Sequence, residues 1–117
     1  MSLEADMVAV LHICCPRVTV GAAPVDTEVP YVTWQHVGGQ SLRYLDNAAA
    51  STRSPEIQIN AWAATPMQAF ELIQQIEEAL CAAPALVTTV HGEPILAYDD
   101  ADVASGYLQT FTVCGAR

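Results

Sequence analysis

Lysine is absent from the 117 residues, and only four arginines (Arg17, Arg43, Arg53 and Arg117) offset 13 acidic residues, leaving a net charge of −9. A surface so poor in cations cannot grip a phosphate backbone, because that affinity comes from cations displacing counterions. The same charge favours solubility and repels nucleic acid over a Debye length. A protein that works beside DNA without adhering to it would carry this balance. No apolar run approaches the ~20 residues needed to cross a bilayer. The opening stretch MSLEADM has acids and no basic residue, so it does not read as a signal peptide, and synthesis in a cytoplasm is expected. The four cysteines, Cys14, Cys15, Cys81 and Cys114, include no C-x-x-C pair, and the adjacent Cys14 and Cys15 make a poor chelate and a poor disulfide. Buried free thiols are the expectation, not a disulfide scaffold.

Catalytic constellations are equally missing. His12, His36 and His91 share no metal-ligand spacing with one another, with cysteine or with a carboxylate. Ser51, Ser54 and Ser105 lack a G-x-S-x-G setting, and neither G-x-G-x-x-G nor a P-loop occurs. Asp99, Asp100 and Asp102 form an acidic turn without the alternating ladder and terminal Glu of a calcium loop. Glu77 and Glu78 lie on adjacent helix faces and not a shared one. Neither an enzyme activity, a metal nor a cofactor is implied.

What is present is a well-punctuated fold. In Glu56–Ala83 the residues Ile57, Ile59 and Ala61 alternate with Gln58, Asn60 and Trp62, the period of a half-buried strand. Thr65, Pro66 and Gln68 then give a cap, a first-position proline and a T-x-x-Q box. Met67, Phe70, Ile73, Ile76 and Leu80, with Ala69, Leu72 and Ala79, form the apolar stripe of an amphipathic helix that Pro84 ends. Upstream, Leu3, Met7, Val10, Leu11 and Cys14 mark a first helix over 3–14, capped by Ser2. Arg17–Val20 reads as a brief strand or an extended lead-in, and Gly21–Pro30 as a loop. Tyr31–Val37 alternates as a strand that Gly38 and Gly39 end or bulge. Residues 40–54 have no firm period and form a long arm or loop. Leu86–His91 is a strand, Gly92–Pro94 a turn, Ile95–Tyr98 its possible partner, and Tyr107–Cys114 a closing strand. The expected fold is one α+β domain over 1–117, two helices on a mostly antiparallel sheet in the order α-β-β-α-β-β, with the arm at 40–54.

One stretch carries a resemblance. Arg17-Val18, Pro24, Pro30-Tyr31-Val32-Thr33-Trp34-Gln35, Gly38-Gly39, Arg53-Ser54-Pro55-Glu56-Ile57-Gln58-Ile59-Asn60-Ala61-Trp62-Ala63 and the helix from Met67 to Leu80 resemble the tail terminator or tail completion proteins of tailed bacteriophages, prophages and gene transfer agents. The similarity runs from 17 to 80; the first helix fits by length and position, and residues after Pro84 match loosely. The resemblance implies a structural virion protein. It would cap the tail tube as a six-membered ring, stop tube polymerisation and offer a joining surface to the head-side connector while DNA passes through unbound. Membrane has no part in that role. Ring contacts are heterologous, and Leu42, Arg43, Tyr44 and Leu45 of the arm, with Arg53 beside it, are the candidate interface residues. Another head–tail connector of the same particle, or a small ligand-binding regulatory module, are the competing readings. The module would require a pocket with convergent polar groups.

Overall fold

The structure is a computed structural model that describes residues 2–21, 27–40, 52–98 and 105–116. Its elements, in chain order, are α1 (Leu3–Cys14), β1 (Val18–Val20), β2 (Tyr31–Gln40), β3 (Thr52–Ala63), α2 (Pro66–Ala82), β4 (Val87–Tyr98) and β5 (Ser105–Ala116). The five strands form one mixed sheet in the order β1-β2-β3-β5-β4. β1 runs parallel to β2, and the other three pairings are antiparallel. The α+β class therefore holds, but the expected element order lacked one strand. Val18–Val20 is a true strand, and at three residues it is too short to show a period.

Both helices begin as their cap chemistry dictates. The Ser2 hydroxyl accepts from the Ala5 amide at 3.2 Å, and the Thr65 hydroxyl accepts from the Gln68 amide at 3.3 Å. The stripe Leu3, Met7 and Leu11 of α1 is fully buried, as are Ala69, Ile73, Ile76 and Leu80 of α2. These residues meet one face of the sheet, supplied by Val32 and Trp34 of β2, Ile57, Ile59 and Ala61 of β3, and Phe111 and Val113 of β5. A fully buried side chain of this kind contributes about 1.5–3 kcal/mol, so this single layer contact carries the domain. Met67, counted in the expected stripe, lies in the first turn of α2 and is 68% exposed. Phe70 is half-buried and meets the Tyr107 ring edge-on at 5.2 Å.

Two bulges shape the sheet. On β2, His36 pairs with Ile57 but Gly38 pairs with Glu56, so two steps on one strand match one on the other. Gly39 has a φ of +111°, and a Cβ there would lie 2.8 Å from the Glu56 amide nitrogen and from the Cα of Pro55. The glycines thus bulge the strand without ending it, and β2 continues to Gln40. β3 likewise starts at Thr52, ahead of Pro55, where a missing N–H hides the strand from a reading of periodicity. The expected arm at 40–54 is accordingly narrower: Gln40 and Thr52–Ser54 are strand residues. On β4, His91 pairs with Thr110 and Ile95 with Leu108, so four steps match two. Gly92–Pro94 is therefore a bulge within one long strand, and Ile95–Tyr98 continues β4 without forming a partner for it. Buried Gln109 fixes this bulge, its side-chain amide donating to the Gly92 carbonyl at 2.9 Å and to Glu77 Oε1 of α2 at 2.8 Å.

Gly39→Ala is expected to lower the unfolding free energy by about 2 kcal/mol or more, since strain at positive φ and a backbone clash act together. Thr65→Ala is expected to cost about 1 kcal/mol. Urea denaturation of the two variants checks the order.

Candidate functional site

Of the expected interface residues, one lies in the described part of the β2–β3 hairpin. Leu42, Arg43, Tyr44 and Leu45 lie outside the described residues; Arg53 lies on β3, in the hairpin stem. There the Arg53 guanidinium donates through Nη1 to both carboxylate oxygens of Glu4 at 2.8 Å. The His36 ring meets Glu4 Oε2 at 3.1 Å from β2. One carboxylate in the first turn of α1 thus ties the helix layer to both strands of the stem. Burial pushes the Glu4 carboxyl up. Hydrogen bonds from His36, Arg53 and the backbone, with the Arg53 charge, outweigh that and hold it below its ordinary 4.5. Among the described residues the guanidinium of Arg17 does a second fastening job: Nε donates to the carbonyls of Glu28 and Pro30 at 2.9 and 3.0 Å, holding the run into β2 against β1.

The sheet face away from the helices carries several cross-strand polar pairs. Gln35 donates to Gln58 at 2.8 Å, the Trp62 indole donates to the Thr33 hydroxyl at 3.3 Å, and His91 is hydrogen-bonded to Thr112. Trp62 is half-buried and stacks on Tyr31 with centroids 6.1 Å apart, whereas Trp34 is buried. Tight packing also holds Trp62 in place, since a Cβ on Gly106 would come within 2.6 Å of the indole. Cys15 is buried, with its thiol 3.5 Å from the Pro30 carbonyl. Cys14 and Cys114 are partly buried, and Cys81 is exposed, contrary to the expectation of buried thiols. The Cys14 thiol is pushed up by burial and by neighbouring Cys15. Among the described residues no cluster of His, Cys, Asp and Glu could hold a metal ion. No described helix is long and apolar enough to cross a membrane.

Sequence reasoning did not find Glu4 as the shared partner of Arg53 and His36. Glu4 reads as an ordinary first-turn acid that favours the helix dipole, and 49 residues separate it from Arg53. Nothing in the spacing signals that contact. Among the described residues the open edges of the sheet are β1 and β4. The apolar positions they expose, Val20 on β1 and Val87, Ile95 and Leu96 on β4, emerge only from the strand order.

A two-layer domain with a long edge strand, apolar residues at its rims and a pinned hairpin stem has the outline of an assembly component. The chain belongs to the tail completion protein gp17 family, whose model matches residues 5–104. It is accordingly a structural component of a phage tail. The match extends on both sides of the 17–80 stretch that carried the resemblance and stops just short of β5. A comparison with curated proteins gave no match.

The lowered Glu4 carboxyl makes a pH prediction. A group depressed on folding stabilises the native state above its unfolded pKa, and that contribution is lost as pH falls through the folded value. Wild type is therefore expected to exceed Glu4→Gln in stability by about 1 kcal/mol near neutral pH. The difference should shrink as pH falls through 4.5 and below. Denaturation curves of both proteins at a series of pH values measure it.

Proposed function

We propose that this protein caps the tail tube as a ring of six copies, stops tube polymerisation and presents the surface to which the head-side connector joins. The family membership over residues 5–104 carries this reading. The charge of −9 fits it, because DNA moving through an acidic ring is repelled and not trapped. The candidate contacts are Leu42, Arg43, Tyr44 and Leu45, with Arg53 at the stem. Leu42, Tyr44 and Leu45 supply apolar surface to a neighbouring copy, and Arg43 and Arg53 supply two of the few cations in an acidic assembly. The partners are then further copies of the same chain, the tail tube protein and the connector. Catalysis, a cofactor and a membrane have no part in it.

The pinned stem gives the reading a mechanism. Glu4 fixes the base of the hairpin to α1 through Arg53 and His36, so the strand ends that flank 41–51 form a fixed platform. A platform of this kind lowers the ordering cost of an interface.

Light scattering over a range of concentrations, with and without purified tail tubes of the same phage, tests the reading. Copies should add to tube ends with a mass of six subunits per end, and capped tubes should stop growing. Replacing Leu42, Tyr44 and Leu45 together by serine is expected to weaken capping by about tenfold or more while melting is unchanged. Tubes that elongate freely in the presence of excess protein would remove the capping role.

A further inference from the structure

The two open edges of the sheet are related by its pairing. β2 runs parallel to β1, and each further step, to β3, to β5 and to β4, reverses direction. β4 therefore runs opposite to β1. A second copy in the same orientation, with its β1 laid beside β4, meets that strand antiparallel, the more stable pairing.

The rows across the sheet bring matching segments level. Val18, Val32, Ala61, Tyr107 and Leu96 form one row through all five strands, and Thr19, Thr33, Asn60, Leu108 and Ile95 form the next. Val18 and Thr19 thus stand level with the end of β4 that follows its bulge, and Val20, in the row of Trp34, Ile59 and Gln109, stands level with the bulge itself. Apolar surface is left open at both places: Val20 and Ile95 are each 62% exposed, and Leu96 is 39% exposed. By alternation Leu96 shares the helix-side face with Val18 and Val20, and Ile95 shares the other face with Thr19.

Neither segment carries a charge. In a chain of net charge −9, copies repel except where charge is absent. Edge strands of monomers are blunted by short length, lysines, inward charges, prolines or bulges. Val18–Val20 carries no charge and no proline, and only its length limits pairing. On β4 the bulge and Pro94 stop pairing immediately before Ile95, which confines a partner strand to one register.

We propose that the β1 edge of one copy pairs with the Ile95 end of β4 on the next copy, extending the sheet from subunit to subunit. The two patches differ, so the contact is heterologous and closes into a ring when the rotation permits. A three-residue strand offers few backbone hydrogen bonds, so one contact is weak and gains its strength from closure. This inference rests on the ring reading and adds the surfaces that build it.

Val20→Lys and Ile95→Lys test it, each at an exposed position, with folding checked by circular dichroism and melting. Assembly is followed by light scattering over concentration, alone and with purified tail tubes of the same phage. Each variant alone should lose assembly by about tenfold or more, since every contact it can make includes a blocked edge. An equimolar mixture should likewise form no ring and at most a weak dimer at the highest concentrations, because only the intact β1 of Ile95→Lys can meet the intact β4 of Val20→Lys and that single contact cannot close. Rings that form normally from both variants would overturn the edge pairing and leave the ring reading standing. Assembly lost in Ile95→Lys but kept in Val20→Lys would mean a two-fold β4-to-β4 contact, which also overturns it. A wild type that stays monomeric, alone and with tubes, would remove the ring reading and this inference together.

Discussion

Ile57, Ile59, Phe111 and Val113 are sealed beneath Leu11, Ile73, Ile76 and Leu80, and the remaining features of the domain are arranged around that one layer of apolar contact. Two helices cover a single sheet face, so β3 and β5 are apolar on one side only. Their other side must satisfy itself with amides and hydroxyls, as the Gln35–Gln58 and Trp62–Thr33 hydrogen bonds do. The covered face also fixes register. A slip of one residue along β3 would turn Ile57 and Ile59 outward and put Gln58 and Asn60 under the helices.

The two bulges are the places where the strands depart from ideal pairing, and each is held by a specific contact. Gly39 passes so close to Pro55 and Glu56 that no side chain fits. The β4 bulge is held by Gln109 of neighbouring β5, which Glu77 of α2 holds in turn. A bulge bends and twists its strand. Here one bulge lies in the hairpin stem that carries residues 41–51, and the other borders the exposed apolar end of β4. The irregularities therefore fall on β2 and β4, while the pairing of β3 with β5 at the centre of the sheet stays regular.

Local chemistry was the legible part of the sequence. The caps at Ser2 and Thr65, the stripe of α1, the stop at Pro84 and the alternation from Ile57 to Ala61 all rest on neighbours a few residues apart. What could not be read rests on partners far apart in the chain. Pro55 looked like the boundary of a strand because its tolerance depends on the glycine bulge opposite. Gly92–Pro94 looked like a turn because only pairing with β5 shows that the chain continues straight. β1 was too short for any period, and the parallel partner that makes it a strand begins 13 residues further on. For the site, Arg53 was legible as a rare cation beside an irregular stretch. Its contact with Glu4 was not, because a carboxylate in a first helical turn already has a sufficient local explanation. Membership of the family was legible from the β2–β3–α2 run, whose strands and helix carry a distinctive order of residues.

The position of β5 has a consequence for how the protein is made. The strand latest in the chain lies inside the sheet, with β3 on one flank and β4 on the other. Until it emerges from the ribosome, β4 has no neighbour to bond to, and Ile57 and Ile59 lack Phe111 and Val113 beside them. A nascent or prematurely ended chain cannot complete its sheet. Translation through β5 is therefore needed before β3 and β4 are joined and the apolar layer is complete.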